Sequence, residues 1–336
     1  MTMASSADTP QTDAPQAGLP PTAPHETAGS GRRILYVVLY AIGVALLLAA
    51  PFLAYPLFVA KLLCFALLAC AFNLLLGMVG LLSFGHAAFF GGAAYVCGHA
   101  LKVWGLPFEL AALCGMAVAT ALGALFGYVS VRRQGLYFAM ITLALAQMIY
   151  FLAFQLPFTG AEDGLTGVPR GRILGLFDLN NQYVLYYTTA AIFVAGYLVI
   201  YRVTNSTFGQ ILKAIRENQP RMISLGYNVH AYKLAAFVLS AALAGLAGAT
   251  KTMVVQLASP VDVHWATSGD VILMALLGGA GTLFGPVVGA SVVTTLQFYL
   301  ADSGLPIQMV IGGIFIACIL LFRQGIVGEI KSYLER

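Results

Sequence analysis

Long apolar runs without internal charge recur along this sequence from Ile34 to its last few residues, and many are about 20 residues long. A run of this length can cross a lipid bilayer as an α-helix, because the helix pairs its own backbone groups. The runs are continuous and do not alternate between apolar and polar residues, which favours helices over the strands of a barrel. The chain has 9% charged residues, whereas soluble domains have about 25%. The sequence therefore predicts an all-α polytopic membrane protein.

About ten transmembrane helices are predicted, with a range of 8–10 because two of the segments are short. The spans are placed at 34–55, 57–78, 84–102, 107–131, 136–156, 183–202, 232–256, 269–284, 287–301 and 306–322. The pair of segments around Gly278–Pro286 is shorter than a bilayer is thick, so it is either re-entrant or one broken helix. The spans define a transmembrane domain at 32–325, and 326–336 forms the C-terminal end.

The N-terminal segment differs from the rest of the chain. Residues 1–31 are rich in Pro, Ala, Thr and Ser and predict a disordered tail. The apolar run that follows Arg32 and Arg33 is too long for a secretory signal, so we favour a membrane span. Lysine and arginine collect on the cytoplasmic side of membrane proteins, which places both termini in the cytoplasm. The same rule places 157–181 outside, as an ordered cap, and 204–231 inside.

One charged segment, Phe208–Asn228, interrupts the apolar runs on the predicted inner side. Ile211, Leu212 and Ile215 share one helical face with charged residues beside it, which predicts a short amphipathic helix. Pro220 stops or kinks this helix. The helix would fit a groove on a soluble partner protein, but a solvated inner loop would explain the same charges.

The charged residues also bear on the energy source of a transporter. Lys61, Glu109, Lys251 and Asp270 all lie near span boundaries, whereas ion-coupled carriers keep charged groups inside their spans. A stand-alone secondary carrier is therefore the weaker alternative. The stretch "GLAGATKT" resembles a nucleotide-binding loop, but Thr250 replaces the second glycine and the stretch lies in an apolar helix, so we reject a nucleotide site. ATP would have to be hydrolysed by another chain.

Two glycine-rich stretches, Gly77–Tyr95 and Leu276–Ala290, form a weak internal repeat, because both contain Gly-x-x-Gly-x-Leu followed by Phe-Gly. Transporters often place the substrate path between internal repeats, and broken helices expose backbone groups there. The predicted translocation path and hinge residues are Gly77, Gly80, Ser83, Phe84, Gly85, His86, Gly278, Gly279, Gly281 and Gly285. Leucine at Gly281 or Gly285 is expected to separate packed helices.

The remaining polar residues give no sign of an enzyme. The histidines have no metal-binding spacing, the five cysteines form no Cys-x-x-Cys pair, and no catalytic triad or carboxylate pair can be argued. His86 fits a packing histidine that is bonded to a backbone carbonyl better than it fits a substrate contact. We therefore predict no metal, no cofactor, no catalytic residue and no nucleic-acid partner, and an intramembrane enzyme is the least favoured alternative.

Several stretches together resemble the LivM-type permease subunits of bacterial branched-chain amino acid ABC importers. The matching stretches are "GMVGLLSFGHAAFFGGAAY", "TLALAQM", "TGAEDGLTG", "FGQILKAIREN", "KLAAFVLSAALAGLAGA" and "VILMALLGGAGTLFGPVVGA". The resemblance extends over roughly Cys70 to Gly328, which is nearly all of the membrane part, and the quoted stretches run from Gly77 to Ala290. The stretch "ENQPR" departs from the acidic, proline-free continuation that is usual in the family, which leaves the length of the charged helix open.

The resemblance implies an importer in the bacterial inner membrane, with a second, LivH-like permease subunit, two cytoplasmic ATPase subunits that bind the ATP, and an extracytoplasmic substrate-binding protein. It also implies that the charged segment contacts an ATPase. The residues for which the resemblance implies this coupling role are Lys213, Ala214, Ile215, Arg216, Glu217, Asn218 and Gly226. An outer gate is expected at Thr159, Asp163 and Gly164. The expected substrate is a branched-chain amino acid, and other amino acids, urea and short amides are the alternatives.

Overall fold

The computed structural model describes residues 43, 45–173, 175, 177–301, 307–321 and 325–334. The predicted tail at 1–31 and residues 34–42 and 44 of the first predicted span lie outside these residues. Residues 45–48 are helical and belong to a unit that begins at Met1, separate from the unit Ala49–Arg336. The account below concerns the second unit.

The second unit is built almost entirely of helices. They are α1 Pro56–Val79, α2 His86–Lys102, α3 Phe108–Ser130, α4 Leu136–Gln155, α5 Gln182–Thr204, α6 Thr207–Glu217, α7 Gln219–Ser224, α8 Val229–Val255, α9 Trp265–Gly278, α10 Gly285–Leu300, α11 Ile307–Leu321 and α12 Gly325–Leu334. Within the described part of the chain, α1, α3, α4, α5 and α8 are long and apolar enough to cross a membrane, and α9 and α10 are shorter apolar helices. This confirms an all-α polytopic membrane protein, and the total of about ten spans stays a prediction.

Helix α8 is the central helix of the bundle and packs against α1, α2 and α3. Small residues make this close packing possible. A Cβ added to Gly245 would lie 2.3 Å from the Cβ of Ala119, and one added to Gly248 would lie 1.9 Å from the carbonyl oxygen of Phe90. Helices approach this closely in membranes because contact between small residues replaces the hydrophobic effect as the source of association.

Two breaks of six residues each, 80–85 and 279–284, interrupt the apolar helices. We call them the first break and the second break. Gly80 ends α1 in the left-handed conformation with φ of 75°, and Gly279 ends α9 with φ of 117°. The predicted span 269–284 is therefore wrong in its bounds, since α9 begins at Trp265, ends at Gly278 and is followed by the second break. Positive φ values, which only glycine adopts readily, are the physical reason.

Short strands join the predicted outer cap to the far end of α8. The strands are β1 Leu165–Thr166, β2 Arg172–Ile173, β3 Phe177–Asp178 and β4 Leu257–Ala258. β1 pairs with β4 and β2 pairs with β3, both antiparallel. Beyond the strands, Val168 and Gln256 exchange two hydrogen bonds of 3.2 Å. The cap is therefore ordered and fixed to the end of the bundle that lies opposite α6.

Candidate functional site

The predicted amphipathic helix is present as α6. Ser206 caps its start, because its side chain accepts a hydrogen bond from the amide of Gly209 at 3.3 Å. The helix ends at Glu217, and Asn218 then caps α7 by accepting from the amide of Arg221 at 3.1 Å. Pro220 lies in the first turn of α7, where a proline disturbs no helical hydrogen bond. The unusual "ENQPR" stretch thus ends α6 and begins α7.

The apolar face of α6 is buried against the spans. Leu212 and Ile215 are buried, and Ile215 clusters with Met222 of α7 and Val229 of α8. The helix also packs against the end of α1. A freely solvated loop would bury none of these side chains, so α6 is mechanically joined to the bundle through its apolar face.

The predicted coupling residues fall into two groups. Lys213 and Ala214 are partly buried and Ile215 is buried, whereas Arg216, Glu217, Asn218 and Gly226 are exposed. Gly226 follows α7 with φ of 86° and turns the chain towards α8. The exposed group is the part of this segment that another protein could reach, and its contact with an ATPase stays a prediction.

Arg216 joins α6 to both breaks. One guanidinium nitrogen, Nη1, donates a hydrogen bond to the carbonyl oxygen of Gly77 in α1. A Cβ added to Gly80 would lie 3.2 Å from the Cγ of Arg216, and one added to Gly281 would lie 3.7 Å from Nη1. A single side chain at the end of α6 therefore lies against the end of α1, the first break and the second break.

Asn73, which is buried in α1, holds the second break from the other side. Its Nδ2 donates to the carbonyl oxygen of Thr282 at 2.8 Å, and its Oδ1 accepts from the amide of Gly281 at 3.0 Å. A Cβ on Gly77 would lie 2.8 Å from the Cα of Gly281. The side-chain amide thus pairs backbone groups that the missing helical turn leaves free. We call Asn73, Gly77, Arg216 and Gly281 the inner junction.

Hydroxyl side chains of other helices hold the first break. Ser268 of α9 donates to the carbonyl oxygen of Phe84 at 2.8 Å and accepts from the amide of Ala87 at 2.9 Å. Thr142 of α4 accepts from the amide of Phe84 at 3.2 Å, and Ser83 accepts from the amide of Gly85 at 3.1 Å. The first break is therefore attached to α4 and α9, and a movement of either helix would reach it.

His86 is a packing residue at the start of α2. It is fully buried, and the rings of Phe72, Phe89 and Phe237 surround its imidazole. Its Nε2 lies 2.9 Å from the hydroxyl of Ser240, which itself donates to a backbone carbonyl and so accepts from the histidine. The partner of Nε2 is therefore a serine hydroxyl, and the expected bond of His86 to a backbone carbonyl stays a prediction. A role of His86 in the translocation path stays a prediction.

The three predicted outer-gate residues lie in the cap. Thr159 is buried, and its hydroxyl contacts the carbonyl oxygens of Ala153 and Leu156 at 2.5 and 2.6 Å. A Cβ on Gly164 would lie 2.5 Å from the carbonyl oxygen of Ala258. Asp163 is exposed. Two of the three residues thus shape the cap itself, and the gate role of all three stays a prediction.

Lys251 and Asp262 form a buried ion pair under the cap. The Nζ–Oδ2 distance is 2.6 Å, and the two side chains are only 6% and 9% exposed. Asp262 also accepts from the amide of Ser259 at 3.0 Å, and Lys251 lies 3.3 Å from the carbonyl oxygen of Leu257. The pair fixes the turn between α8 and α9. Sequence reasoning had placed Lys251 as a single residue near a boundary and missed its partner.

A cleft of about 700 Å³ opens beside the inner junction. Its lining includes Gly80, Arg216, Glu217, Lys233 and Ala280. Residues of α6, of the end of α1 and of both breaks line the cleft together. The space leaves room for α6 to move relative to α1 and α9, and Arg216 is the contact that would carry this movement.

Gly281 and Gly285 restrict substitution for different reasons. Gly281 has φ of 88°, and a Cβ added to it would lie 3.7 Å from Nη1 of Arg216 and 3.8 Å from the carbonyl oxygen of Gly77, so its requirement for glycine is conformational. The predicted separation of packed helices by leucine at this position stays a prediction. A Cβ on Gly285 would lie 2.2 Å from the Thr282 hydroxyl and 2.7 Å from the Gly278 carbonyl oxygen. Gly278 itself packs against Gly285, because a Cβ added to Gly278 would lie 1.9 Å from the carbonyl oxygen of Gly285.

We expect Gly281→Ala and Gly285→Ala each to lower the free energy of unfolding by about 1–3 kcal/mol, through backbone strain and overpacking respectively. Thermal unfolding in detergent and uptake into vesicles measure the effect. Gly269→Ala is the matched control, because Gly269 lies in α9 with no atom within 4 Å of an added Cβ. Wild-type unfolding temperatures for both variants would contradict the close fit of the second break.

This chain is similar to known transport permeases. The family model described as "Branched-chain amino acid transport system / permease component" matches residues 57–322. The high-affinity branched-chain amino acid transport system permease protein LivM of Escherichia coli is 25% identical over 294 residues, which cover 81% of this chain and 69% of the relative. The corresponding protein BraD of Pseudomonas aeruginosa is 26% identical over 283 residues, covering 79% and 92%.

A sugar permease is also similar to this chain. The D-allose transport system permease protein AlsC of Escherichia coli is 25% identical over 245 residues, which cover 65% of this chain and 67% of the relative. No solved structure matches this chain significantly.

Proposed function

Because this chain belongs to the family of branched-chain amino acid transport permease components, we propose that it is a membrane subunit of an ATP-driven importer and forms part of the translocation path for branched-chain amino acids. The proposed complex lies in a bacterial inner membrane. It contains a second permease subunit, two cytoplasmic ATPase subunits and an extracytoplasmic substrate-binding protein. The α6 end of the bundle, with both termini, faces the cytoplasm.

The observation that carries this proposal is the attachment of α6 to both breaks through Arg216. An ATPase that binds the exposed residues Glu217 and Asn218 would displace α6 when it closes on ATP. Packed protein interiors are not compressible, so a displacement of α6 has to be taken up at a contact or in a free space. Arg216 and the adjacent cleft supply these two elements.

The proposed transport cycle is alternating access. The binding protein delivers an amino acid at the cap, and displacement of α6 then opens the path at the inner junction. A zwitterion crossing lipid needs polar partners, because burial without hydrogen bonds costs several kcal/mol. Backbone groups at the two breaks can supply such partners without a charged side chain. Their present partners, Asn73 and Ser268, would exchange with the substrate or move with the break.

The substrate is the part of the proposal that most needs a direct test. The family name and two of the compared relatives point to branched-chain amino acids, and another relative is a D-allose permease. Uptake of labelled leucine should be inhibited by isoleucine and valine and not by urea, acetamide or D-allose. Inhibition by urea or acetamide alone would replace the amino acid proposal by an amide importer, and uptake without any ATPase would indicate a secondary carrier.

Docking of an ATPase on α6 is tested at Glu217. Glu217 is exposed at the C-terminal end of α6, so Glu217→Ala is expected to leave membrane insertion intact. Loss of a charged hydrogen bond across an interface costs about 2–5 kcal/mol, and ATPase co-purification should fall together with uptake. Gln182→Ala, at the opposite end of the bundle, is the control. ATPase capture and uptake equal to those of the control would refute docking at this residue.

A further inference from the structure

A second cleft, of about 350 Å³, lies between the α3–α4 turn, α7 and the start of α8. We call it the basic cleft. Its basic lining residues are Arg132, His230 and Lys233, and no acidic residue is found among the described residues that line it. The cleft lies at the same end of the bundle as α6, beside the end of α3 and the starts of α4 and α8.

Lys233 is the least accessible of these groups, with 6% of its surface exposed. Its Nζ donates to Oε1 of Gln219 at 2.6 Å, and the same oxygen accepts from Gln134 at 2.8 Å. An ammonium group has three hydrogens to donate. Across the described ranges no carboxylate pairs with Lys233, since the ion pair found there is Lys251–Asp262. A buried cation without a counter-ion is costly, which indicates that the cleft holds an anion when the protein is in its membrane.

Two further groups converge on the basic cleft. Nε2 of His230 is buried and has no hydrogen-bond partner among the residues that the structure describes. Arg132 is exposed, and its guanidinium carbon lies 5.0 Å from the ring centre of Tyr128, which holds the side chain beside the cleft. Three side chains with nitrogen donors therefore surround one space that can hold a phosphate-sized group.

The rim of the basic cleft is apolar and exposed. Ile223 and Tyr227 line the cleft with 56% and 40% of their surfaces exposed, and the neighbouring Leu225 is 62% exposed. At the end of a membrane bundle, such side chains contact the boundary between headgroups and acyl chains. A ligand with an anionic headgroup and acyl chains would contact both the basic side chains and the apolar side chains of this cleft.

We infer that the basic cleft binds the headgroup phosphate of an anionic phospholipid, with Arg132, His230 and Lys233 as its donors and Ile223 and Tyr227 against its chains. Basic pockets between transmembrane helices bind anionic headgroups in the same way. The site lies outside the inner junction, and Lys233 lines both the basic cleft and the larger cleft beside that junction. This inference does not depend on the transported substrate.

The test uses the full chain, purified in detergent with any subunits that accompany it. Thermal unfolding is followed while phosphatidylglycerol, phosphatidylcholine or inorganic phosphate is added. We expect phosphatidylglycerol alone to raise the unfolding temperature saturably. The apparent affinity should become roughly tenfold weaker in Lys233→Gln and in Arg132→Gln, because each removes one charged hydrogen bond to the phosphate. Native mass spectrometry should show the same loss of bound lipid.

Arg133→Gln is the matched control, because Arg133 is exposed beside Arg132 and does not line the cleft. Arg132→Gln keeps the test valid if Lys233→Gln fails to fold, since Arg132 is exposed. Equal effects of the two lipids, or wild-type affinity in both variants, would overturn the inference. A shift produced by inorganic phosphate alone would show a free-anion site. Loss of ATPase binding in the variants with an unchanged lipid response would show that the cleft holds an acidic group of the partner.

Discussion

Replacing Arg216 with alanine is expected to lower uptake by about 10-fold to 100-fold and to leave both the amount of permease in the membrane and its association with ATPase unchanged. The side chain supplies a charged hydrogen bond to Gly77 and the contact of α6 with the two breaks. A hydrogen bond to a charged group contributes about 1.5–3 kcal/mol, which sets this range if the contact is formed at the step that opens the path. Vesicle uptake, ATP hydrolysis and ATPase co-purification, measured together, check the prediction.

Arg221→Ala is the control for Arg216→Ala. It removes the same charge from the neighbouring helix α7, where Arg221 is exposed. Arg216→Lys should recover only part of the uptake, because lysine is a single point donor and arginine is a planar fork. Normal uptake in Arg216→Ala would remove the inner junction from the mechanism, even if Glu217→Ala still abolished ATPase binding. The two positions therefore separate transmission within this chain from docking between chains.

Asp262→Ala is expected to destabilise the protein by about 3–5 kcal/mol, because it leaves the buried ammonium of Lys251 without its counter-ion. The loss should appear as a lower unfolding temperature in detergent and as little protein in the membrane. A double variant, Lys251→Met with Asp262→Ala, should recover much of the stability, since replacing both charges removes the unpaired one. The double variant also distinguishes loss of the charge from loss of the turn.

Glu162→Ala is the control for the ion pair. It removes a carboxylate from the cap at the same end of the bundle, but Glu162 is exposed, and surface carboxylates contribute little to stability. An unfolding temperature of Asp262→Ala equal to that of Glu162→Ala would contradict a stabilising role of the pair. A double variant as unstable as Asp262→Ala would assign the effect to the hydrogen bond from the Ser259 amide.

Features that depend on local patterns were predictable from the sequence. The apolar runs predicted the long helices, and the apolar face that includes Leu212 and Ile215 predicted α6. The repeat of glycines gave the two breaks, because positive φ and close contact are properties of the residue itself. The end of α6 was left open, since a proline can either end a helix or begin the next one, and Asn218 decides by capping α7.

Features that depend on long-range contact were missed. Asn73 and Ser268, which are uncharged and hold the breaks, were not predicted. Asn73 is an isolated polar residue within an apolar run, whereas Ser268 lies beside Thr267 and near Asp270. Their partners are more than a hundred residues away along the chain, whereas the pairing of Lys251 with Asp262 depends on the turn between α8 and α9.

The contact between Asn73 and the second break has a consequence for synthesis. Helix α1 is apolar enough to enter the membrane early, with a mean hydropathy of 2.5, yet its buried amide finds partners 208 and 209 residues later in the chain. Until the second break emerges from the ribosome, the Asn73 amide lacks both of these partners. A truncated chain that ends before Gly281 never gains them. Pairing of the Asn73 amide therefore has to wait until the second break has been made.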